Sequence, residues 1–324
     1  MKLFAKPTIV ISRCIEHEEC RYDKSMIRSE VVEQLLPYIN VITVCPEMAI
    51  GLPSPRESLR LVKGSNDSEH LVFSRTGEEK TLELTKYSKE FLTGLKHSDI
   101  DGFILKHRSP SCGYHDVRIY KGLGKAMLLP EKTQGVFGRA IKEIFPHVPI
   151  ENEGRLRSYN LRENFLIAVF TLRTFKNMII GGDVEKFIRF HSVNKYMFMA
   201  LSPSQSKLVG KLVANHQKIP FASLIDEYEA ILVNMLTMPL TRNKNINVLS
   251  HMFGYFKDEL SYEENDYFIE TLELYRQKKL PYSVPLAILK SWAIRFEEYY
   301  LLEQTIFEPF PKVLFDITDS GKVL

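Results

Sequence analysis

Three short apolar runs, each followed by a cysteine, constrain the first half of this chain more than any other feature. The runs are Thr8–Ser12, Val41–Val44 and Gly102–Lys106, and the cysteines that follow them are Cys14, Cys45 and Cys112. Runs of this kind, separated by helical patterns, predict parallel strands with helices on the faces of the sheet. Ligands of an open α/β sheet bind outside the carboxyl ends of its strands. We therefore expect the three cysteines to converge on one site.

The second half of the chain has a different pattern. After Arg155 the apolar residues recur with a helical period of about 3.6 residues, and strand signals nearly vanish. Short breaks such as Gly181-Gly182, Ser202-Pro203 and Ile219-Pro220 separate the helical stretches. We predict an α/β domain over residues 1–157, with a mostly parallel sheet and flanking helices, followed by an all-α domain over residues 158–324.

Composition narrows the class of protein. The 324 residues are 44% hydrophobic and 26% charged, which is typical of a globular chain of roughly two domains. No apolar stretch approaches the roughly 18 residues that a membrane-spanning helix needs, so we expect no membrane association. The first residues lack the apolar core and cleavage site of a secretory signal. The cytoplasm is therefore the expected location.

Basic residues are concentrated in one part of the sequence. The stretch from Arg155 to Lys218 contains 11 Lys and Arg against 3 acidic residues, a local charge of +8, whereas the 106 residues after it carry 10 basic and 16 acidic residues. A block of one sign can form a surface for a polyanion, because Lys and Arg displace counterions from phosphates. The alternative is a set of separate, solvated helix faces.

All four cysteines precede residue 113. Without a signal peptide, a chain of this size is not expected to form a disulfide framework, so clustered thiols indicate a metal, a cluster or a nucleophile. A free cysteine can also pack as a small hydrophobic residue. The spacing contains no Cys-x-x-Cys pair of the structural zinc kind. Three thiolates that leave one position open suit a [4Fe-4S] cluster, and zinc remains an alternative.

Two loops have unusual composition. The loop Cys45–Arg56 contains three prolines and a glycine in addition to the acid Glu47. The loop Lys106–Tyr114 places Cys112 between a proline and a glycine. Proline fixes the backbone, and rigid loops of this sort position side chains for binding or catalysis.

These motifs resemble the thiouracil desulfidase (TudS) family over residues 5–157. The motifs are Ser12-Arg13-Cys14, Arg21-Tyr22-Asp23, Cys45-Pro46-Glu47, Gly51-Leu52-Pro53, Pro55-Arg56, Ser109-Pro110-Ser111-Cys112-Gly113 and Glu153-Gly154-Arg155-Leu156. The second half is similar to the YbgA-type domain in the segments His191–Pro203 and Leu208–Asn215. The combination resembles the RudS proteins, which remove sulfur from 4-thiouridine in tRNA. The resemblance implies uridine and hydrogen sulfide as products, formed without net electron transfer at an open iron of a [4Fe-4S] cluster.

The resemblance also implies that Cys14, Cys45 and Cys112 would hold the cluster. At such a cluster a nearby carboxylate can move the protons, so we expect Glu47, two residues after Cys45, to be the general acid and base. We expect Ser109 to hydrogen-bond the substrate. Substrate contacts would come from Tyr22, Asp23, Arg56, Lys106, Arg108 and Ser111. Cys20 would line the site without ligating, and Lys24 stands where the family usually has glycine. For each polar residue, bracing of its own loop or a structural ion pair is the alternative.

A tRNA substrate would contact the basic stretch, and no protein partner is predicted. The candidate contacts are Arg155, Arg157, Arg162, Lys195, Lys207 and Lys211. Two other functions remain open at this point. One is a desulfidase of free thiouracil or other thiolated bases. The other is an iron–sulfur or thiol redox sensor, or an RNA-binding protein, without catalysis.

Overall fold

A computed structural model describes residues 3–315, and these form two compact units. The N-terminal unit comprises Ala5–Phe165, and the helical unit comprises Leu3, Phe4 and the described residues from Leu166 on. The elements of the N-terminal unit are β1 (Thr8–Ser12), α1 (Glu30–Leu35), β2 (Asn40–Val44), α2 (Pro46–Ala49), β3 (Leu59–Lys63), β4 (Glu69–Phe73), α3 (Thr81–Gly94), β5 (Gly102–Leu105), β6 (Val117–Tyr120), β7 (Leu128–Thr133), α4 (Val136–Ile144) and β8 (Ile150–Asn152).

The first sheet is parallel throughout, in the order β2-β1-β5-β8. The three strands that precede cysteines are therefore adjacent, with β1 in the middle. Val10, Phe103 and Leu105 of this sheet are buried against Phe137 and Ile141 of α4 in one hydrophobic cluster. The expected parallel sheet with flanking helices is confirmed.

A second sheet, with the order β4-β3-β6-β7, is absent from the sequence prediction. Its β3–β4 and β6–β7 pairs are antiparallel, and β3 pairs with β6 in parallel. Its buried face consists of alternate residues such as Leu59, Leu61, Val117 and Ile119. Charged residues occupy the positions between them, so no continuous apolar run marks these strands. Alternation over four or five residues is a weak signal for a half-buried strand.

The helical unit confirms the prediction of an all-α second half, and its helices end near the predicted breaks. They are α5 (Tyr159–Ile179), α6 (Val184–Leu201), α7 (Pro203–Ala214), α8 (Phe221–Leu236), α9 (Arg242–Phe253), α10 (Tyr262–Arg276), α11 (Ser283–Arg295) and α12 (Tyr299–Leu302). Gly181 and Gly182 end α5 with positive φ, and the Asp183 side chain caps α6 by accepting from two backbone amides. Tyr228 packs among Phe175, Phe187 and Phe190 in the core.

The units divide inside α5, between Phe165 and Leu166, whereas the sequence places the domain boundary after residue 157. A continuous helical pattern carries no signal for a division within it. None of the helices in residues 3–315 combines the length and the apolar character needed to cross a bilayer.

Candidate thiol and carboxylate site

The carboxyl ends of three adjacent strands carry the cysteines. Cys45 follows β2 directly, Cys14 follows β1 by two residues, and Cys112 lies in the loop after β5. The chain leaves β1 for β2 on one side and later returns to form β5 on the other. Such a reversal opens a crevice at the carboxyl edge of a parallel sheet. Cys14 and Cys112 are buried, and Cys45 is half-buried.

Cys20 joins these thiols. A hydrogen bond with the Cys14 thiol and burial raise the pKa of Cys20 to about 11, although its contact with Cys45 acts in the opposite direction. The same Cys20–Cys45 contact, together with burial, raises the pKa of Cys45. Burial and the nearby Cys45 raise the pKa of Cys112. The four thiols are thus linked through the neighbouring pairs Cys14–Cys20, Cys20–Cys45 and Cys45–Cys112, and all four are free.

This donor set suits an iron–sulfur cluster, because thiolates are the ligands that such clusters use. A cluster or metal would also remove the protons that the buried thiols otherwise retain. Within residues 3–315, no three His, Cys, Asp or Glu side chains are already grouped as a metal site. The three-cysteine ligand set therefore belongs to the proposal below.

Two hydroxyls contact the Cys112 thiol and oppose the rise in its pKa, those of Ser12 and Ser109. Ser109 Oγ also accepts from the backbone amides of Ser111 (3.2 Å) and Cys112 (3.1 Å), so it braces the loop it lies in. Ser12 Oγ accepts from the Lys106 amide at 3.0 Å. Sequence reasoning assigned no role to Ser12. Its signal was its position at the end of a buried strand, two residues before a cysteine.

Glu47 is the carboxylate nearest to this chemistry, in α2, two residues after Cys45. Its Oε1 accepts from Ser111 Oγ at 2.7 Å, and its Oε2 accepts from Nε and Nη2 of Arg56 at 2.8 and 2.6 Å. A carboxylate offers about four acceptor positions, two on each oxygen. Among contacts within the described chain, Oε2 is fully used and Oε1 keeps one position. Oε1 is thus the atom at which Glu47 can accept a further proton or hydrogen bond.

Arg56 is almost entirely buried, with 4% of its side chain exposed. Besides the pair with Glu47, its Nη1 donates to the carbonyls of Pro53 (2.9 Å) and Cys20 (3.1 Å). Its backbone amide donates to the Tyr22 carbonyl at 2.8 Å. Arg56 therefore ties the loop of Cys20 to the loop of Cys45 and holds the Glu47 carboxylate, which is the structural alternative to a substrate contact.

The loop after β5 holds one paired cation and one exposed cation. Lys106 Nζ donates to Glu153 Oε1 at 2.7 Å and to the His107 carbonyl at 2.9 Å, and the other oxygen of Glu153 accepts from the His107 amide. This ion pair joins the loop to the end of β8. Arg108 is exposed and adopts a positive φ of 54°.

The first loop leaves Tyr22 and Asp23 near the surface. Tyr22 is 44% exposed, with the Arg21 guanidinium 5.5 Å from its ring centroid. Asp23 accepts from the hydroxyl and the amide of Ser25, and the hydroxyl is the main cause of its lowered pKa. Lys24 has a φ of 57°, a region that glycine enters more readily than other residues. A glycine at this position would adopt the same conformation without a Cβ penalty.

The start of α4 holds the Cys112 loop. The amides of Val136 and Phe137 donate to the carbonyls of Pro110 (3.2 Å) and Ser111 (2.8 Å). The approach needs glycine, since a Cβ built on Gly138 would lie 2.3 Å from the Gly113 carbonyl oxygen. Sequence reasoning missed this role, although two glycines three residues apart at a helix start were a signal for close packing.

The six basic residues proposed for tRNA are divided between the units. In the N-terminal unit, Arg157 is exposed, Arg155 is paired with Glu151, and Arg162 is 8% exposed and donates to the Leu156 carbonyl. The burial of Arg162 leaves it little surface for an external ligand. The remaining three are exposed on α6 and α7 of the helical unit, and they are Lys195, Lys207 and Lys211.

The fold and site define an α/β domain with thiols and a carboxylate at the carboxyl edge of a parallel sheet, followed by a helical domain. Residues 9–153 match the family described as 2-thiouracil desulfurase. Residues 195–311 match a family described as a protein of unknown function, DUF1722. The chain therefore joins a thiouracil desulfidase (TudS) domain to a YbgA-like domain.

Two curated proteins are similar to parts of the chain. The uncharacterized protein YbgA of Escherichia coli K12 is 26% identical over 161 residues, which are 49% of this chain and 95% of YbgA. The uncharacterized protein YbbK of Bacillus subtilis 168 is 29% identical over 149 residues, which are 45% of this chain and 96% of YbbK. A solved structure of the [4Fe-4S]-dependent thiouracil desulfidase TudS aligns with 26% identity and a TM-score of 0.37, covering 47% of this chain and 94% of that one.

Proposed function

We propose that the protein is a [4Fe-4S]-dependent desulfidase that converts 4-thiouridine in tRNA to uridine, with release of hydrogen sulfide. The observation that carries the proposal is the Glu47 carboxylate, fixed by Arg56 and Ser111 near Cys45 and Cys112, with one acceptor position left on Oε1. The membership of this domain in the 2-thiouracil desulfurase family supports sulfur removal from a uracil ring.

Cys14, Cys45 and Cys112 would hold the cluster, one from each of three adjacent strand ends. Cys20 is the fourth thiol of the group and would line the site. A bound cluster with one iron free of protein thiolate supplies a Lewis acid for a thiocarbonyl sulfur. Cys14, Cys20 and Cys112 are buried, and Cys45 is half-buried.

The reaction exchanges sulfur for oxygen without a change of redox state. Water attacks the ring carbon, the carbon–sulfur bond breaks with its electron pair on sulfur, and both protons of the water end on the sulfur as hydrogen sulfide. Glu47 Oε1 would take a proton from the attacking water and return it to the departing sulfur. Arg56 fixes the direction of the carboxylate, so the proton moves at one defined atom. Ser109 would contribute a hydrogen bond to the substrate.

Two features support tRNA as the substrate. The exposed Lys195, Lys207 and Lys211 belong to a helical unit whose sequence lies partly in the basic stretch, and such side chains bind phosphates. A free base would not need a second domain of this size. A base within folded RNA must leave its stack before its thiocarbonyl can enter a buried site.

The test is single-turnover desulfidation by protein reconstituted under anaerobic conditions. Bulk tRNA that contains 4-thiouridine would be incubated with the protein, digested and analysed for thionucleoside by mass spectrometry. We expect loss of 4-thiouridine with an equal gain of uridine, and at least a hundredfold slower reaction for Glu47→Gln, given the usual size of general acid–base effects of about 100-fold or more. The control variant Glu33→Gln makes the same change from carboxylate to carboxamide at an exposed position of α1. It should react at the normal rate.

Other outcomes would assign other functions. Consumption of free 2-thiouracil beside unchanged tRNA would replace the tRNA substrate with a small base. Stable iron binding with no sulfur release from either substrate would favour a sensor or an RNA-binding protein. A normal rate for Glu47→Gln would remove Glu47 from the chemistry.

A further inference from the structure

The outer face of the second sheet carries basic side chains on three adjacent strands. Arg118 of β6 lies directly opposite Lys132 of β7. The register that pairs Leu61 with Ile119 places Arg60 of β3 beside Arg118. Residues side by side on neighbouring strands point to the same face of a sheet. Leu61 and Ile119 are buried on the inner face, so the three basic residues share the outer one.

This arrangement is costly for the free protein. Like charges placed directly opposite each other on neighbouring strands destabilise a sheet. Arg118 and Lys132 are both exposed. Glu57, two residues before β3, is engaged by the backbone amides of Arg75 and Thr76. The carboxylates near this row are likewise held by other groups: Glu79 by His70, Asp116 by His115 and Glu131 by Lys63. The three cations thus lie side by side without an ion pair of their own among the contacts described, an arrangement that a bound polyanion would neutralise.

A cleft of about 360 Å³ opens on the same face. Its polar lining consists of Ser58, Arg60, Ser74, Arg108, Arg118 and Tyr120, and its described lining contains no acid. The hydroxyls of Ser58 and Ser74 are hydrogen-bonded to each other at 3.0 Å, which leaves one O–H of the pair as a further donor. The Arg60 guanidinium is fixed 4.6 Å from the Tyr120 ring centroid and by a 2.7 Å hydrogen bond to the Gly124 carbonyl. The cleft is therefore a partly preorganised set of donors.

We infer that this basic cleft, together with the adjoining Lys132 of β7, binds phosphate groups of the nucleic acid substrate. Guanidinium groups match phosphate oxygens in pairs, which makes arginine the preferred residue for phosphate recognition. Three strands spaced about 4.8 Å apart span roughly 10 Å, more than one phosphate can contact, so the arrangement favours a polynucleotide over a mononucleotide. Arg108 and Pro110 of the lining belong to the loop that carries Cys112. The inference rests on the proposed function for its choice of RNA.

The test separates binding from chemistry. A fluorescently labelled, unmodified tRNA transcript would be titrated with reconstituted protein and its anisotropy followed over a series of salt concentrations. Lys132→Glu and Arg118→Glu should each weaken binding by on the order of tenfold, the effect of one lost charge-assisted hydrogen bond. Each should also reduce the salt dependence by about one counterion. Lys89→Glu, the same charge change at an exposed position of α3, should alter neither quantity.

A second probe distinguishes the source of the phosphate. Uridine 5′-monophosphate at millimolar concentration should compete only weakly with the transcript. Strong competition by uridine 5′-monophosphate that is lost in Arg118→Glu would show that the cleft binds a mononucleotide. That result would refute the proposal that its ligand is a polynucleotide. Arg118→Ala and thermal melting of every variant exclude loss of folding as the cause of weaker binding.

The desulfidation assay keeps this inference separate from the proposed function. If the cleft binds the phosphates of the RNA, the Arg118→Glu variant should desulfidate the free 4-thiouridine nucleoside at the normal rate. Its rate with thiolated tRNA should be reduced. Unchanged tRNA binding and unchanged tRNA desulfidation in both glutamate variants would refute the cleft and leave the desulfidase intact. If the protein binds RNA through Arg118 but releases no sulfide, the inference about the cleft stands and the proposed desulfidase activity is refuted.

Discussion

Replacing Arg56 by glutamine should strongly destabilise the N-terminal unit, because the substitution leaves the Glu47 carboxylate without its cation. The side chains of Arg56 and Glu47 are 4% and 14% exposed. Removal of one partner of a buried ion pair costs about 3–5 kcal/mol, and the residual exposure of Glu47 favours the lower end, about 3 kcal/mol. The carbonyls of Cys20 and Pro53 also lose their donor. The loss therefore reaches both loops of the site.

Hydrogen exchange measures this loss where it occurs. Peptides that contain Thr8–Ser12 and Asn40–Val44 report on the opening of the first sheet, and about 3 kcal/mol corresponds to roughly 100-fold faster exchange. The single tryptophan, Trp292, lies in the helical unit, so its fluorescence during urea unfolding provides an internal control. Expressed as a free energy, the change in the Trp292 unfolding transition should be smaller than the change in hydrogen-exchange protection of the sheet.

A double variant tests the physical reason. Arg56→Gln combined with Glu47→Gln removes both charges and leaves two neutral amides, so it should recover about 2 kcal/mol relative to the sum of the single losses. If the two single losses add to within about 0.5 kcal/mol, the ion pair is not what stabilises these loops and the reasoning is refuted.

Three further predictions concern the cluster, the loop after β5 and the helical unit. After reconstitution, Cys14→Ser, Cys45→Ser and Cys112→Ser should lose most bound iron and acid-labile sulfide, whereas Cys20→Ser should retain them; equal loss in Cys20→Ser would make it a ligand. Gly138→Ala should lower the free energy of unfolding by about 2 kcal/mol in urea, because its Cβ would meet the Gly113 carbonyl, while Gly94→Ala, with nothing within 4 Å of the new Cβ, should have no such cost. Burial and the nearby Lys195 lower the pKa of His191 from 6.5 to about 4, so the helical unit should lose up to about 3 kcal/mol as the pH falls between these values, because only the unfolded chain takes up the proton. Trp292 fluorescence would follow this loss, and an unchanged pH dependence in His191→Gln would contradict the assignment.

The loops that carry the candidate site residues could be recognised from the sequence because their motifs are local. Proline and glycine in the loops Cys45–Arg56 and Lys106–Tyr114 marked rigid backbone whatever the fold around it. The contacts that each side chain makes could not be predicted from the sequence. Arg56 was predicted as a substrate contact, with a structural ion pair as the alternative, and in the structure its guanidinium pairs with Glu47. Its partner is nine residues away along the chain, and only folding of the loop decides which of several nearby groups it meets.

The sequence by itself determined the class of each half. Continuous apolar runs and helical periodicity are local consequences of burial on two faces or on one stripe, so three parallel strands and the all-α second half followed directly. The tertiary structure decided what depends on pairing between distant segments. The second sheet joins β3 to β6 across more than fifty residues, and Cys20 meets Cys14 and Cys45 through loop packing. The row of Arg60, Arg118 and Lys132 exists only in the paired sheet, because strand register, not sequence distance, brings charges together.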